Sequence, residues 1–195
     1  MGKIFVLMGK SSTGKDSIFK VLKEDSDLNL IPIITTTTRP IRNDETDGDQ
    51  YFFIKYEKLI EYESKGKIIE KRKYDTTQGT WYYATIDDGQ IDLSLGNYVL
   101  ISTLEAYKKI QSYFGSENVI PIYIDIKDDI RLERAIIRER QETNPNYNEL
   151  CRRFLADNVD FSIENLKDNN IIRHYRNYSL NETITEIKKD MLSFI

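Results

Sequence analysis

Residues 4–8, Ile-Phe-Val-Leu-Met, are apolar without a break, which predicts a strand buried on both faces. A polar, glycine-bearing stretch follows, and residues 15–24 read as the next helix. A second apolar run, 30–34, leads into Thr35-Thr36-Thr37-Thr38-Arg39-Pro40. Threonine favours extended backbone, and Pro40 holds Arg39 extended. Residues 43–50 are polar and contain Gly48, so they predict a loop. Strand-like segments then fall at 51–54, 67–74 and 81–86, with a short helix over 56–64. So many β segments in succession break the strand–helix rhythm and predict a β-rich insertion over residues 35–90. The rhythm resumes with a strand at 98–102, a helix at 103–113 and a strand at 119–125. A charged helix over 128–140, a polar connection over 141–148, a helix over 147–166, a strand at 171–175 and a helix over 181–194 complete the chain. Strands alternating with helices predict an α/β fold: a parallel sheet core flanked by helices, with its ligand at the carboxyl edge.

The chain of 195 residues is 39% hydrophobic and 31% charged, which suits one domain with insertions and a substantial core. No apolar stretch approaches the length of a membrane span. The first strand begins at once, which argues against a signal peptide, and Val6 stands where a myristoylation signal needs Ser or Thr. The single Cys151 permits no internal disulfide and no cysteine zinc cluster. A cytoplasmic protein is expected. Net charge is −4, with a pI of about 5.2, whereas a nucleic-acid surface is usually basic. The arginines are instead local: Arg39 and Arg42, then Arg131, Arg134, Arg138 and Arg140, then Arg152 and Arg153. Such clusters in an acidic chain suit a small polyanion.

Between the first strand and helix lies Gly9-Lys10-Ser11-Ser12-Thr13-Gly14-Lys15, followed by Asp16 and Ser17. The glycine spacing and the lysine are those of a phosphate-binding P-loop. Glycines let the backbone turn successive N–H groups inward as an anion nest, and the helix start adds partial positive charge. Lys15 supplies a full charge for the outer phosphates. Asp16 stands where a P-loop has the Ser or Thr that ligates Mg²⁺.

Further along, Thr35 to Arg42 reads Thr-Thr-Thr-Thr-Arg-Pro-Ile-Arg. Asp47-Gly48-Asp49-Gln50-Tyr51-Phe52-Phe53, Ile68-Ile69-Glu70 and Tyr82-Tyr83-Ala84-Thr85 follow. In this order, behind a P-loop, the series resembles the guanylate kinase family over nearly the whole chain. The resemblance implies a P-loop kinase core formed by residues 1–34 and 91–195, a helical lid over about 134–153, and a GMP-binding insertion over 35–90. It implies transfer of the γ-phosphate of ATP to GMP with Mg²⁺, ATP and GMP as partners, no nucleic acid or membrane, and a monomer or homodimer. It places Arg39, Arg42, Tyr51 and Tyr83 on the acceptor phosphate; guanidinium forks and phenol hydroxyls suit phosphate oxygens. It places Glu70, Thr35 and Thr85 on guanine; a carboxylate can accept from N1–H and the exocyclic amine together. Arg134, Arg138 and Arg153 match lid arginines that close over the ATP phosphates. Asn177 matches an asparagine near the adenine ring, in the weaker context Arg176-Asn177-Tyr178.

The chain departs from that family at two places. The usual aspartate pair is replaced by Ile101 and Thr103, and Asp16 has appeared in the P-loop. Asp16 is therefore expected to take over part of the Mg²⁺ coordination, since Mg²⁺ prefers hard oxygen ligands. Two other readings stay open at this point. One is ribose 1,5-bisphosphate phosphokinase, whose P-loop is similar to Gly14-Lys15-Asp16-Ser17. The other is a weakly active or non-catalytic guanylate-kinase-like binding module. His174, Trp81 and Cys151 are expected to be structural, Cys151 as a buried small side chain.

Overall fold

The computed structural model describes residues 1–42, 45–76 and 79–195. Asn43 and Asp44, part of the loop expected over 43–50, lie outside the described residues. The central sheet contains β1 (Ile4–Met8), β2 (Leu30–Pro32), β7 (Asn97–Ile101), β8 (Val119–Asp125) and β9 (His174–Arg176). Its order is β2-β7-β1-β8-β9, and every pairing is parallel. β1 is the middle strand, which explains its unbroken apolar run: its side chains alternate between two cores, and all are buried.

Phe5 and Leu7 pack with α1 (Lys15–Lys23) and α7 (Leu180–Leu192) through Ile18, Leu22, Ile187 and Met191. Ile4, Val6 and Met8 face Leu104, Tyr107 and Ile110 of α3 (Leu104–Phe114) on the other side. Thr103 is the N-cap of α3 rather than its first residue, its side chain accepting from the Ala106 N–H. Pro32 falls in β2, an edge strand, where a missing N–H costs no ladder bond.

The second sheet runs β4 (Phe52–Phe53), β3 (Thr36–Thr37), β6 (Gly79–Ile86), β5 (Ile68–Thr76) in spatial order. β3 pairs parallel to β4 and antiparallel to β6, and a bulge interrupts the β5–β6 register between Ile68 and Glu70. Its even-numbered face, with Tyr82, Ala84 and Ile86, packs on Leu59 and Tyr62 of α2 (Tyr56–Ser64). Thr37, Tyr83, Thr85, Glu70 and Arg72 alternate onto the opposite face.

The helix expected over 147–166 is two helices, α5 (Tyr147–Asp160) and α6 (Ile163–Asp168). Ser162 is the cause: its hydroxyl accepts from the Asn165 N–H, while the Asn165 amide donates to the carbonyls of Val159 and Asp160. The break is thus capped on both sides. The last strand is shifted from 171–175 to His174–Arg176, where it pairs with Tyr123, Ile124 and Asp125. Cys151 is exposed, against expectation, because it lies on the outer side of α5. α4 (Asp128–Glu139) precedes α5 and carries the arginine cluster. Among the described residues, no helix is long and apolar enough to cross a membrane.

Candidate active site

The loop from Gly9 to Gly14 crosses the carboxyl end of the central sheet, between β1 and α1. Its glycines are required by their surroundings. A Cβ on Gly9 would lie 2.4 Å from the Ile124 carbonyl oxygen. Gly14 has φ +90°, and a Cβ there would lie 2.3 Å from Asn177 Nδ2. Ser12 is left-handed at φ 64° despite its side chain, a strain of about 1–2 kcal/mol kept at a functional loop. Its Oγ is buried without a hydrogen-bond partner among the described residues. Thr13 closes the turn by donating from Oγ1 to the Lys10 carbonyl at 2.9 Å.

Lys15 points back across this turn, with Nζ 3.4 Å from the Lys10 carbonyl oxygen. Burial pushes its pKa down, and the charges of Arg138 and Arg131 add to that, while Asp16 and Asp157 oppose it. A partly desolvated ammonium among cations gains from an arriving polyanion. Asp16 and Ser17 are both exposed in the first turn of α1. Lys10 lies 3.6 Å from Asp128.

Asn177 is buried. Its amide donates to the Thr13 carbonyl at 2.8 Å, and its own carbonyl accepts from Arg134 at 3.2 Å. It thus ties the loop to α4. Arg138 is exposed and Arg153 half-exposed, and together with Ser11, Ser12, Arg131 and Phe154 they line a cleft of about 10 Å³. That is room for roughly one water. Arg153 lies 3.7 Å from both Glu139 and Glu149, and its Nε has no hydrogen-bond partner among the described residues.

Two residues with no motif hold this wall together. Arg131 is fully buried. Its guanidinium donates to Asp128 at 3.1 Å, to Asp157 at 3.2 Å and to the Asn158 side-chain oxygen at 2.9 Å. It also stacks on Phe154, 3.7 Å from the ring centroid. Asp157 in turn accepts from the Ser11 backbone N–H at 2.7 Å. The pair therefore fastens α5 to the P-loop.

The second half of the site is the face of the second sheet that carries Tyr83, Thr85, Glu70 and Arg72. Arg39 is buried and held as a fork by Glu45, at 2.7 Å and 2.5 Å. Its Nε donates to the Tyr83 hydroxyl at 3.2 Å. Tyr51 and Phe53 cover it at 5.4 and 5.2 Å, and the Tyr51 and Tyr83 rings meet edge to face. Burial raises the Tyr51 pKa, Tyr83 and Asp16 add to that, and the charges of Arg39 and Arg72 oppose it. Arg42 is exposed, its backbone N–H bound to Glu45.

Glu70 and Thr85 are buried directly opposite each other on β5 and β6, and Thr85 donates to Glu70 at 2.9 Å. Thr35 is buried immediately before β3. Arg72, two residues along the same face, donates to both oxygens of Glu70, at 3.0 and 3.2 Å. The period of two could have revealed Arg72, and an acid three residues beyond Arg42 could have revealed Glu45. Arg131 and Asp157, far apart in sequence, left no local signal. Ile101 ends β7 as an apolar residue, and Thr103 is occupied as a helix cap, so neither supplies a carboxylate.

The model of the family described as guanylate kinase matches residues 1–189. A guanylate kinase of Helicobacter hepaticus is 26% identical over 98% of this chain and 88% of its own length. One from Mycoplasma mobile is 29% identical over 96% of this chain and 90% of its own length. The crystal structure of guanylate kinase from Anaplasma phagocytophilum superposes with a TM-score of 0.67 at 20% identity, covering 98% of this chain and 85% of that one. This last likeness concerns the fold.

Proposed function

The chain belongs to the guanylate kinase family, and from that premise we propose that it transfers the γ-phosphate of ATP to GMP, giving ADP and GDP. It is a nucleoside monophosphate kinase, a phosphotransferase. The observation that carries the assignment of sites is the pairing of two halves. A P-loop with a desolvated Lys15 stands at the sheet edge. A separate face clusters Arg39, Tyr51 and Tyr83 beside the buried Glu70 and Thr85. One half suits a triphosphate, and the other suits a phosphate next to a base.

Phosphoryl transfer needs alignment and charge neutralisation more than covalent help. Lys15 and the loop's N–H groups bind the donor phosphates. Arg134, Arg138 and Arg153 bring positive charge from the lid over about 134–153. Arg39, Arg42, Tyr51 and Tyr83 hold the attacking phosphate on the insertion, residues 35–90, and Thr35, Glu70 and Thr85 face the base. Closure of these parts on the core excludes water and with it wasteful hydrolysis. Asn177 acts by keeping Gly14 and Thr13 in place.

Mg²⁺ bound to ATP takes most of its oxygen ligands from phosphate and water. Asp16, an exposed carboxylate next to Lys15, fits the remaining place, and Ile101 and Thr103 do not. An ion held by Asp16 would supply positive charge to the transferring phosphates.

The test offers purified protein Mg–ATP with GMP, dGMP, AMP, UMP or ribose bisphosphate and follows ADP release. Turnover with GMP and little with AMP or UMP is expected. Turnover with the sugar phosphate alone, or none with any acceptor, overturns the reading.

A further inference from the structure

Glu70 is already engaged. Its Oε1 accepts from Thr85 at 2.9 Å and from Arg72 at 3.2 Å, and its Oε2 accepts from Arg72 at 3.0 Å. A carboxylate offers about four acceptor positions, two on each oxygen. Oε1 is therefore full, and Oε2 has one place left. The Glu70 side chain is wholly buried and that of Arg72 is 10% exposed, so water does not loosen the fork. Arg72 is fixed from two more directions: it stacks 5.9 Å from the Tyr83 centroid, and its third nitrogen lies 3.5 Å from the Thr103 hydroxyl.

A guanine edge that presents N1–H and the 2-amino group together needs one acceptor on each oxygen, in the same side-on fork that Arg72 occupies. With Arg72 in place, Glu70 can take one N–H. The complement of that single acceptor is a single N–H, which a 6-oxopurine carries at N1.

Resting on the reading that Glu70 faces the base, we propose that Arg72 determines specificity. Glu70 reads the N1–H of a 6-oxopurine through Oε2, Arg72 holds the rest of the carboxylate, and the 2-substituent is left unread. The substrate class is therefore 6-oxopurine nucleoside monophosphates: IMP is phosphorylated as well as GMP. Adenine presents an acceptor at N1, which opposes the carboxylate oxygen, so it is rejected.

The test measures kcat/KM for GMP, IMP and AMP. In the unaltered protein the GMP-to-IMP ratio is expected below about tenfold, the least that one hydrogen bond to a charged group would contribute. AMP is expected at least about a hundredfold below GMP. Arg72→Ala opens the second oxygen of Glu70 to the 2-amino group, so the GMP-to-IMP ratio rises by about tenfold or more. Arg72→Lys keeps the charge but cannot fork both oxygens, and guards against a folding defect by giving a smaller rise in the same direction. A ratio above about tenfold in the unaltered protein, with AMP still rejected, overturns this proposal alone. AMP used as well as GMP, with no change on Glu70→Gln, overturns the underlying reading of Glu70 instead.

Discussion

Replacing Asp157 with alanine removes one carboxylate and disturbs two places at once. The Ser11 N–H loses a 2.7 Å bond to a charged acceptor, worth about 1.5–3 kcal/mol. Arg131, wholly buried, loses one of its two carboxylates and keeps Asp128 at 3.1 Å and Asn158 at 2.9 Å. Stripping a buried ion of its partner costs about 3–5 kcal/mol, and the retained contacts place the total near the lower bound, about 3 kcal/mol. Urea denaturation of Asp157→Ala, Arg131→Met and the double variant tests this as a cycle. With both charges gone, the space around Phe154 is filled by an apolar side chain, so the double variant should be more stable than Asp157→Ala by about 1–2 kcal/mol. In calorimetric titrations, ATP affinity should fall while GMP affinity holds, because only the donor side loses its fastening. A loss under about 0.5 kcal/mol for Asp157→Ala, or strictly additive effects, would refute the role given to the pair.

Three further outcomes follow from single contacts. Gly14→Ala should cost about 2–4 kcal/mol, since the residue has φ +90° and its Cβ would displace the Asn177 amide; denaturation together with ATP affinity checks it, and a neutral variant refutes it. Asp16→Ala should raise the Mg²⁺ concentration at half-maximal turnover by about tenfold or more, read by titrating Mg²⁺ at fixed ATP; an unmoved midpoint excludes Asp16 from the metal. The Arg39 fork holds the Glu45 carboxyl at about 2, below its usual 4.5. A depressed folded pKa stabilises above the unfolded value, so this contribution is full above pH 4.5 and fades as pH falls toward about 2. Melting temperature against pH should therefore fall less steeply across that window in Glu45→Gln, and coincident slopes refute it.

The strand–helix alternation was readable because each element carries one dominant pattern. The five apolar residues of β1 read as a buried strand, and the 56–64 helix has the same bounds in the structure. The break between α5 and α6 was not readable from periodicity. It depends on Ser162 and Asn165 capping a turn whose flanks both look helical. Site residues within motifs could be named because glycine spacing and the Arg–Tyr–Glu series are local. Arg72 was passed over because its significance lies in the geometry of two oxygens, not in its place in a motif. Arg131 and Asp157 meet only through the packing of α4, α5 and the P-loop, and no window of sequence contains both.

The arginine clusters invite the reading that this acidic chain carries much positive charge for a polyanion. The structure redistributes that charge. Arg39, Arg72 and Arg131 share one arrangement: an aromatic face (Tyr51 and Phe53, Tyr83, Phe154) and a carboxylate (Glu45, Glu70, Asp157). Each is neutralised within the protein before any ligand arrives. These three arginines therefore supply shape and oriented N–H groups rather than net attraction. Long-range attraction falls to Lys15, Arg42, Arg134 and Arg138, of which Arg42 and Arg138 are exposed. The two sets should respond differently to salt. Neutralising Arg42 or Arg138 should weaken nucleotide binding more at low ionic strength than at high, since exposed charges are screened beyond about 10 Å at 0.1 M salt. Removing Glu45 or Asp157 should instead give a loss that salt barely changes, because what is lost is a held geometry.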